Sequence, residues 1–274
     1  VSAGPFALKS SRIDFVFIIR ANLKPEAIHS RFNPMKLPSG LIQGRLVKRY
    51  KRFLADVELE DGTQITAHCA NPGSMMGLKE PGLHVWLSQN DNPKRKLKYS
   101  WELAEVGGGL VGMNTGAANR IVEEALGREA ISELTGYDTM RREVAYGENS
   151  RIDFLLQKQN VSASCFVEVK SVTLSRQPGI AEFPDAVTAR GTKHLTELEN
   201  MVRQGHRAVM LYLMQRTDCT RFALADDLDP AYKSAFERAQ ASGVEALCYR
   251  CHISTREITL GRAAAIMETG KTQS

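Results

Sequence analysis

A chain of 274 residues with 43% hydrophobic and 24% charged residues has an ordinary globular composition, which excludes disorder and collagen-like repeats. The longest early apolar run, Phe15 to Ile19, is far short of the roughly 18–20 residues of a membrane helix or the roughly 7–15 of a secretory h-region, so neither a membrane partner nor export is expected, and the expected location is cytoplasmic. Net charge is +5, and the basic excess is N-terminal: five basic against two acidic residues in 1–34, eleven against eight in 35–113, twenty against twenty-one in 114–274.

Residues 1–34 show no sustained period and contain Pro25 and Pro34; they read as a poorly ordered extension, with Met35 the expected start of the functional protein. Short strands follow at Gly44–Leu59, Gln64–Cys69, Leu83–Ser88 and Leu97–Val106, with a turn at Asp61-Gly62. So many short strands in so little chain imply a small all-β unit, an OB-like barrel over residues 35–113. Arg45, Lys48, Arg49, Lys51 and Arg52, then Lys94, Arg95, Lys96 and Lys98, interleave with Tyr50, Phe53, Tyr99 and Trp101. Cations that meet phosphates beside rings that stack on bases point to a nucleic-acid partner, with DNA expected. The alternative is a solvated face whose lysines guard a sheet edge. The loop His68 to Met75 is rich in small and turn-forming residues, either a plain turn or a grip on phosphate or on the neighbouring domain.

After Asn114 the pattern changes to alternating helices and strands. Thr115 is placed to cap a helix with Ala118, Ile121, Val122, Ala125 and Leu126 at 3.6 spacing, ended by Gly127. Strands are expected at Arg142–Tyr146, Arg151–Gln157 and Cys165–Leu174. Pro184-Asp185 opens a helix to about Gln204, Ala208–Met214 is a buried strand, Pro230–Ala241 a helix and Val244–Ile253 a strand. The order α, βββ, α, β makes residues 114–274 an α/β unit, and the whole chain α+β or α/β in class. Nothing in the pattern speaks to oligomeric state.

Strand residues two apart share a face, so Glu168 and Lys170 point one way while Val167 and Val169 point to the core. If the preceding strand forms a hairpin with this one, Asp153, set between Ile152 and Phe154, joins them, and Glu143 adds a third acid. Carboxylates converging in a sheet are costly unless paired or metal-bound, and oxygen ligands of this kind suit Mg²⁺ or Mn²⁺. Phosphodiester hydrolysis uses such an ion together with a lysine that orients water or steadies the transition state. Arg190 and His194, four apart on one helix face, are candidates to reach a phosphate or that water.

Asp followed by Glu-x-Lys in an αβββαβ core resembles the PD-(D/E)XK, or restriction-endonuclease-like, nucleases, although Ile152 stands where that pattern has proline. Five cysteines, an odd and scattered set, suit reduced thiols. Cys248-Tyr-Arg-Cys-His252 matches a haem-attachment pattern, but strand alternation there places the two cysteines on opposite faces, so neither haem nor zinc is expected.

At these residues the chain resembles the sugar fermentation stimulation protein family of bacterial and archaeal DNA-binding proteins. The matching stretches are Arg45 to Phe53, His68 to Met75, Lys98 to Leu103, Ser150 to Phe154, Glu168 to Leu174 and Phe183 to Leu195. The resemblance implies an OB-like domain joined to a nuclease-like domain, non-specific DNA binding and a regulatory link to maltose metabolism. Carried over by position, the site is Glu143, Asp153, Glu168 and Lys170. Ala70 and Pro72 depart from the family's more usual proline and threonine.

Overall fold

The structure is a computed structural model that describes Glu26–Ala27 and residues 34–267. Strands β1 (Glu26–Ala27) and β2 (Met35–Lys36) add to opposite edges of the C-terminal sheet, so two residues of the expected extension over 1–34 form a sheet edge, and Met35–Lys36, expected in the barrel, belong to the second domain's sheet. The rest of that expectation lies outside the described residues.

Five strands, β3 (Ile42–Tyr50), β4 (Leu54–Leu59), β5 (Gln64–Cys69), β6 (His84–Gln89) and β7 (Tyr99–Val106), run in the order β5-β4-β3-β6-β7, and a parallel pairing of β5 with β7 closes them into a barrel. This is the OB domain expected from the strand count. Its interior is filled by alternate residues, among them Leu46, Val57, Ala67, Leu87 and Trp101. The single strand expected over Gly44–Leu59 is in fact two. Lys51 and Arg52 turn the chain with φ of +44° and +69°, and Arg49 Nη2 donates to the Arg52 carbonyl (2.7 Å) across that turn. No glycine, proline or asparagine marks it, so the sequence reads straight through.

β8 (Gly109–Gly112) turns back antiparallel against β7 and carries the chain into the second domain. There α1 (Ala117–Gly127) is followed by β9 (Thr139–Tyr146), β10 (Ser150–Gln157), β11 (Cys165–Val172), the hairpin β12 (Leu174–Gln177) and β13 (Ile180–Phe183), and α2 (Ala189–Arg203). β14 (Arg207–Met214), β15 (Arg221–Leu224), α3 (Pro230–Ala241), β16 (Glu245–Ile253), β17 (Glu257–Ala263) and β18 (Ala265–Ile266) complete the described chain. The main sheet runs β1-β9-β10-β11-β14-β16-β17-β2, antiparallel through β9, β10 and β11 and parallel through β11, β14 and β16. α1 covers one face, packing Ile121 and Leu126 with Phe154, Val167 and Leu211; α2 and α3 cover the other, packing Leu195, Leu198 and Phe236 with Phe166 and Met210. The expected α, βββ, α, β order is present, with the β12–β13 hairpin inserted.

Two helix starts differ from expectation. α1 has Gly116 at its N-cap with no side-chain cap, and the Thr115 hydroxyl donates instead to the Ala70 carbonyl of the barrel (3.3 Å). α2 begins at Ala189, four residues beyond Asp185, where Thr188 Oγ1 accepts from the Gly191 N–H (3.0 Å). Pro184-Asp185 is thereby freed for another task. The two domains are stitched together by backbone: Gly112 N–H donates to the Gln215 carbonyl (2.9 Å) and Thr217 N–H to the Leu110 carbonyl (3.0 Å). Gly109 permits this approach, since a Cβ there would lie 2.7 Å from Thr217 Oγ1.

Candidate active site

Alternation along β11 sends Val167 and Val169 under α1 and turns Glu168 and Lys170 toward α2. The β10–β11 ladder pairs Phe154 with Val167 and goes no further. One step on, the Asp153 carboxylate takes over, accepting the Val169 N–H at Oδ2 (2.7 Å) and the Asn119 amide of α1 at Oδ1 (2.7 Å). The strands part at that point, and the opening between them is the site.

Glu168 is 3% exposed. Its Oε1 accepts from Lys170 Nζ (2.6 Å) and from His194 Nδ1. Arg190 Nε donates to His194 Nε2 (3.3 Å), so a neutral imidazole carries its proton on Nδ1 and gives it to Glu168. The second carboxylate oxygen, Oε2, is buried without a partner. Burial pushes the Asp153 carboxyl up to about 6, the nearby charge of Glu168 adding to it against the hydrogen bonds of Val169 and Asn119. Burial acts on Glu168 in the same direction, but there the hydrogen bond from His194 and the charge of Lys170 outweigh it, and the carboxyl lies below its ordinary value. Two carboxylates side by side are thus driven apart, one held ionised and one poised near neutrality.

These groups line a cavity of about 350 Å³ whose wall includes Asn71, Pro72 and Gly73 of the barrel loop and Asp185 ahead of α2. Asp153, Glu168, Lys170, Arg190 and His194 all reach it. Glu143 does not: it is exposed, its φ of +50° interrupts the β9–β10 ladder opposite Asp153, and it is no part of the cavity wall. Asn119 and Asp185 were not foreseen as site residues. Asn119 had one visible signal, an amide at the start of an otherwise apolar helix stripe.

The basic residues of the barrel divide by task. Arg49 Nη2 donates to the carbonyls of Asn71 (2.9 Å) and Gly73 (3.1 Å), so this guanidinium braces the loop and is not a free phosphate contact. Arg52 Nε reaches the Pro72 carbonyl (3.2 Å), Arg45 Nη1 the Gly82 carbonyl (3.3 Å), and Lys48 pairs with Asp56 (3.4 Å). Lys51, Lys94 and Lys96 are exposed, and Arg95 donates to Ser100 Oγ (3.2 Å). Cys248 and Cys251 pack into opposite faces of the main sheet, as strand alternation required.

Among the described residues no three His, Cys, Asp or Glu side chains converge as a ready-made metal cage. Asp153 and Glu168 nevertheless present hard oxygen donors, one of them an orphaned buried carboxylate oxygen, and that donor chemistry fits Mg²⁺ or Mn²⁺. No described helix is long and apolar enough to cross a membrane.

Residues 116–257 match the family model described as "Sugar fermentation stimulation protein RE domain", and residues 47–113 that of the "SfsA N-terminal OB domain". A sugar fermentation stimulation protein homolog of Ruegeria sp. is 60% identical over 228 residues, which cover 83% of this chain and 98% of that protein. The homolog of Maricaulis maris is 58% identical over 83% of this chain and 97% of its own. A solved structure described as Pyrococcus furiosus SfsA in complex with Ca²⁺ superposes with a TM-score of 0.76 at 24% identity, covering 86% of this chain and 100% of that one, a likeness of fold.

Proposed function

The chain belongs to the sugar fermentation stimulation protein family, and from that premise we propose that it binds nucleic acid, DNA above all, through its OB barrel and hydrolyses phosphodiesters at the site between its domains. The observation that carries the reading is the trio Asp153, Glu168 and Lys170, brought to one cavity with a buried oxygen of Glu168 left unpartnered. Asp153 and Glu168 would hold the ion. The chemistry that a bound Mg²⁺ or Mn²⁺ supplies is neutralisation of charge on the phosphoryl oxygens and acidification of water. Lys170 lies against Glu168 with its ammonium at the cavity wall, where it orients water and offsets charge gathering on the phosphorus oxygens. His194 fixes Glu168 in place and Arg190 fixes His194, and both face a phosphate entering the cavity. The description of the solved Pyrococcus furiosus structure as a Ca²⁺ complex supports an oxygen-ligated divalent ion here.

The test is nicking and degradation of single- and double-stranded DNA and RNA by purified protein with Mg²⁺, Mn²⁺ or EDTA. Cleavage that needs metal and falls at least about 100-fold in both Asp153→Ala and Lys170→Ala is the expected result. A second reading, a DNA-binding regulator tied to maltose metabolism that does not cleave, draws on the engagement of Glu168 Oε1 by Lys170 and His194. Binding without cleavage in every metal would decide for it.

A further inference from the structure

We propose that the substrate of this site is a single, unpaired nucleic-acid strand, led to the cavity along a track on the barrel; the proposal rests on the nuclease reading above and narrows it. The site is roofed over by the barrel. The loop Asn71 to Met75 crosses from the barrel to the approach of α2, where Ser74 Oγ donates to the Asp185 carbonyl (2.7 Å) and Met75 N–H to Asp185 Oδ2 (3.3 Å). Gly73 sits so close that a Cβ would fall 2.2 Å from Asp185 Oδ2. Arg49 and Arg52 brace the same loop through its carbonyls. The carboxylates therefore lie under a bridge fixed at both ends, in a cavity of about 350 Å³. That is near the lower limit of small-ligand pockets, room for about one nucleotide unit.

A path leads to it. A further groove of about 600 Å³ shares Pro72, Gly73, Asp185 and Arg190 with the cavity and runs out past Arg52 and Val187. Beyond Arg52 stands Phe53, 44% exposed and stacked on His68 with ring centroids 6.2 Å apart and planes at 17°. His68 neighbours Ser100 across the β5–β7 pairing, and Ser100 takes the hydrogen bond of Arg95 from the second basic loop. Four large apolar side chains are exposed among the described residues, and two of them, Val187 in the groove and Phe53 next to Arg52, follow this line. Arg95, Arg52 and Arg190 stand along it for phosphates, each giving one N–H within the protein, to Ser100, Pro72 and His194, where Arg49 is spent on three carbonyls. The Phe53–His68 pair offers a flat face to a base. Only an unpaired strand has base faces to give, since a duplex keeps them stacked inside.

The experiment measures binding by fluorescence anisotropy and cleavage with Mg²⁺ and with Mn²⁺, using a labelled single-stranded DNA oligonucleotide and the same strand annealed to its complement. The single strand should be bound and cut at least about tenfold better than the duplex. Phe53→Ala should lose about tenfold in single-strand affinity and Phe53→Trp should keep it, with thermal unfolding unchanged in both. Duplex bound and cut as well as single strand, or a Phe53→Ala variant with native affinity, overturns the proposal and leaves the nuclease reading standing. Single-strand binding that depends on Phe53, with no cleavage in any metal, supports the strand track and removes the nuclease.

Discussion

Asp153 is an acid whose folded value, about 6, lies above its ordinary 3.8. Its protonated form is favoured by the fold, so the stability it contributes is complete below about pH 4 and is lost as pH rises through 6. Glu168, displaced downward, acts in the opposite sense: its contribution is present above its ordinary 4.5 and fades as pH falls. Replacing Asp153 by Asn removes the first effect alone. In urea unfolding with EDTA, the stability of Asp153→Asn relative to wild type should rise by about 1–3 kcal/mol between pH 4 and pH 7, the ceiling set by roughly two pKa units. A difference that stays flat with pH would show that Asp153 titrates normally. At this scale the sequence was informative where chemistry is local. Glu168 and Lys170 share a strand face by alternation, and Asp153 is one strand away. Asn119 and Asp185 escaped because their partners stand far off in the chain, at Asp153 and at Ser74 and Met75, and no spacing rule reaches that far. Glu143 was misplaced because a left-handed residue inside a strand leaves no mark in a glutamate.

At the scale of elements, the bridging loop and the basic turn act together, and their cations differ in kind. Arg49 serves three backbone carbonyls, so Arg49→Met should cost about 1–3 kcal/mol of stability while leaving the dependence of log K on log salt for nucleic-acid binding nearly unchanged. Exposed Lys51 should behave in the reverse way: Lys51→Glu should leave stability within about 0.5 kcal/mol and lower the salt slope by about 1. Denaturation and salt titration of the two variants check this, and equal slopes in both would take the turn out of the interface. The long helix and the buried strands were legible because their apolar periods run for several turns or pairs. The hairpin β12–β13 was not, because Leu174 prolongs the alternation of β11 and hides the break before it.

At the scale of the molecule, the barrel and the mixed sheet share a core: Leu103 of the barrel is buried among the residues beneath α1, and Trp86 and Leu110 pack against them. With β8 also bonded to residues 215–217, calorimetry should show one cooperative unfolding transition. Gly109→Val, forced against Thr217 and Asp218, should lower stability by about 1–3 kcal/mol and broaden or split that transition. Two transitions in the unaltered protein would show that the domains unfold independently. The barrel class was readable from strand count and turn spacing. Its closure was not, because the parallel β5–β7 contact joins strands between which β6 and a long loop intervene.

The loop from Asn71 to Met75 belongs to one domain by sequence and to the other's cavity by position. Recombination can therefore not trade the two halves as modules. A barrel grafted onto another mixed sheet would arrive with a bridge that has no far bank, and the second domain on its own would keep its carboxylates but lose one wall of the chamber around them.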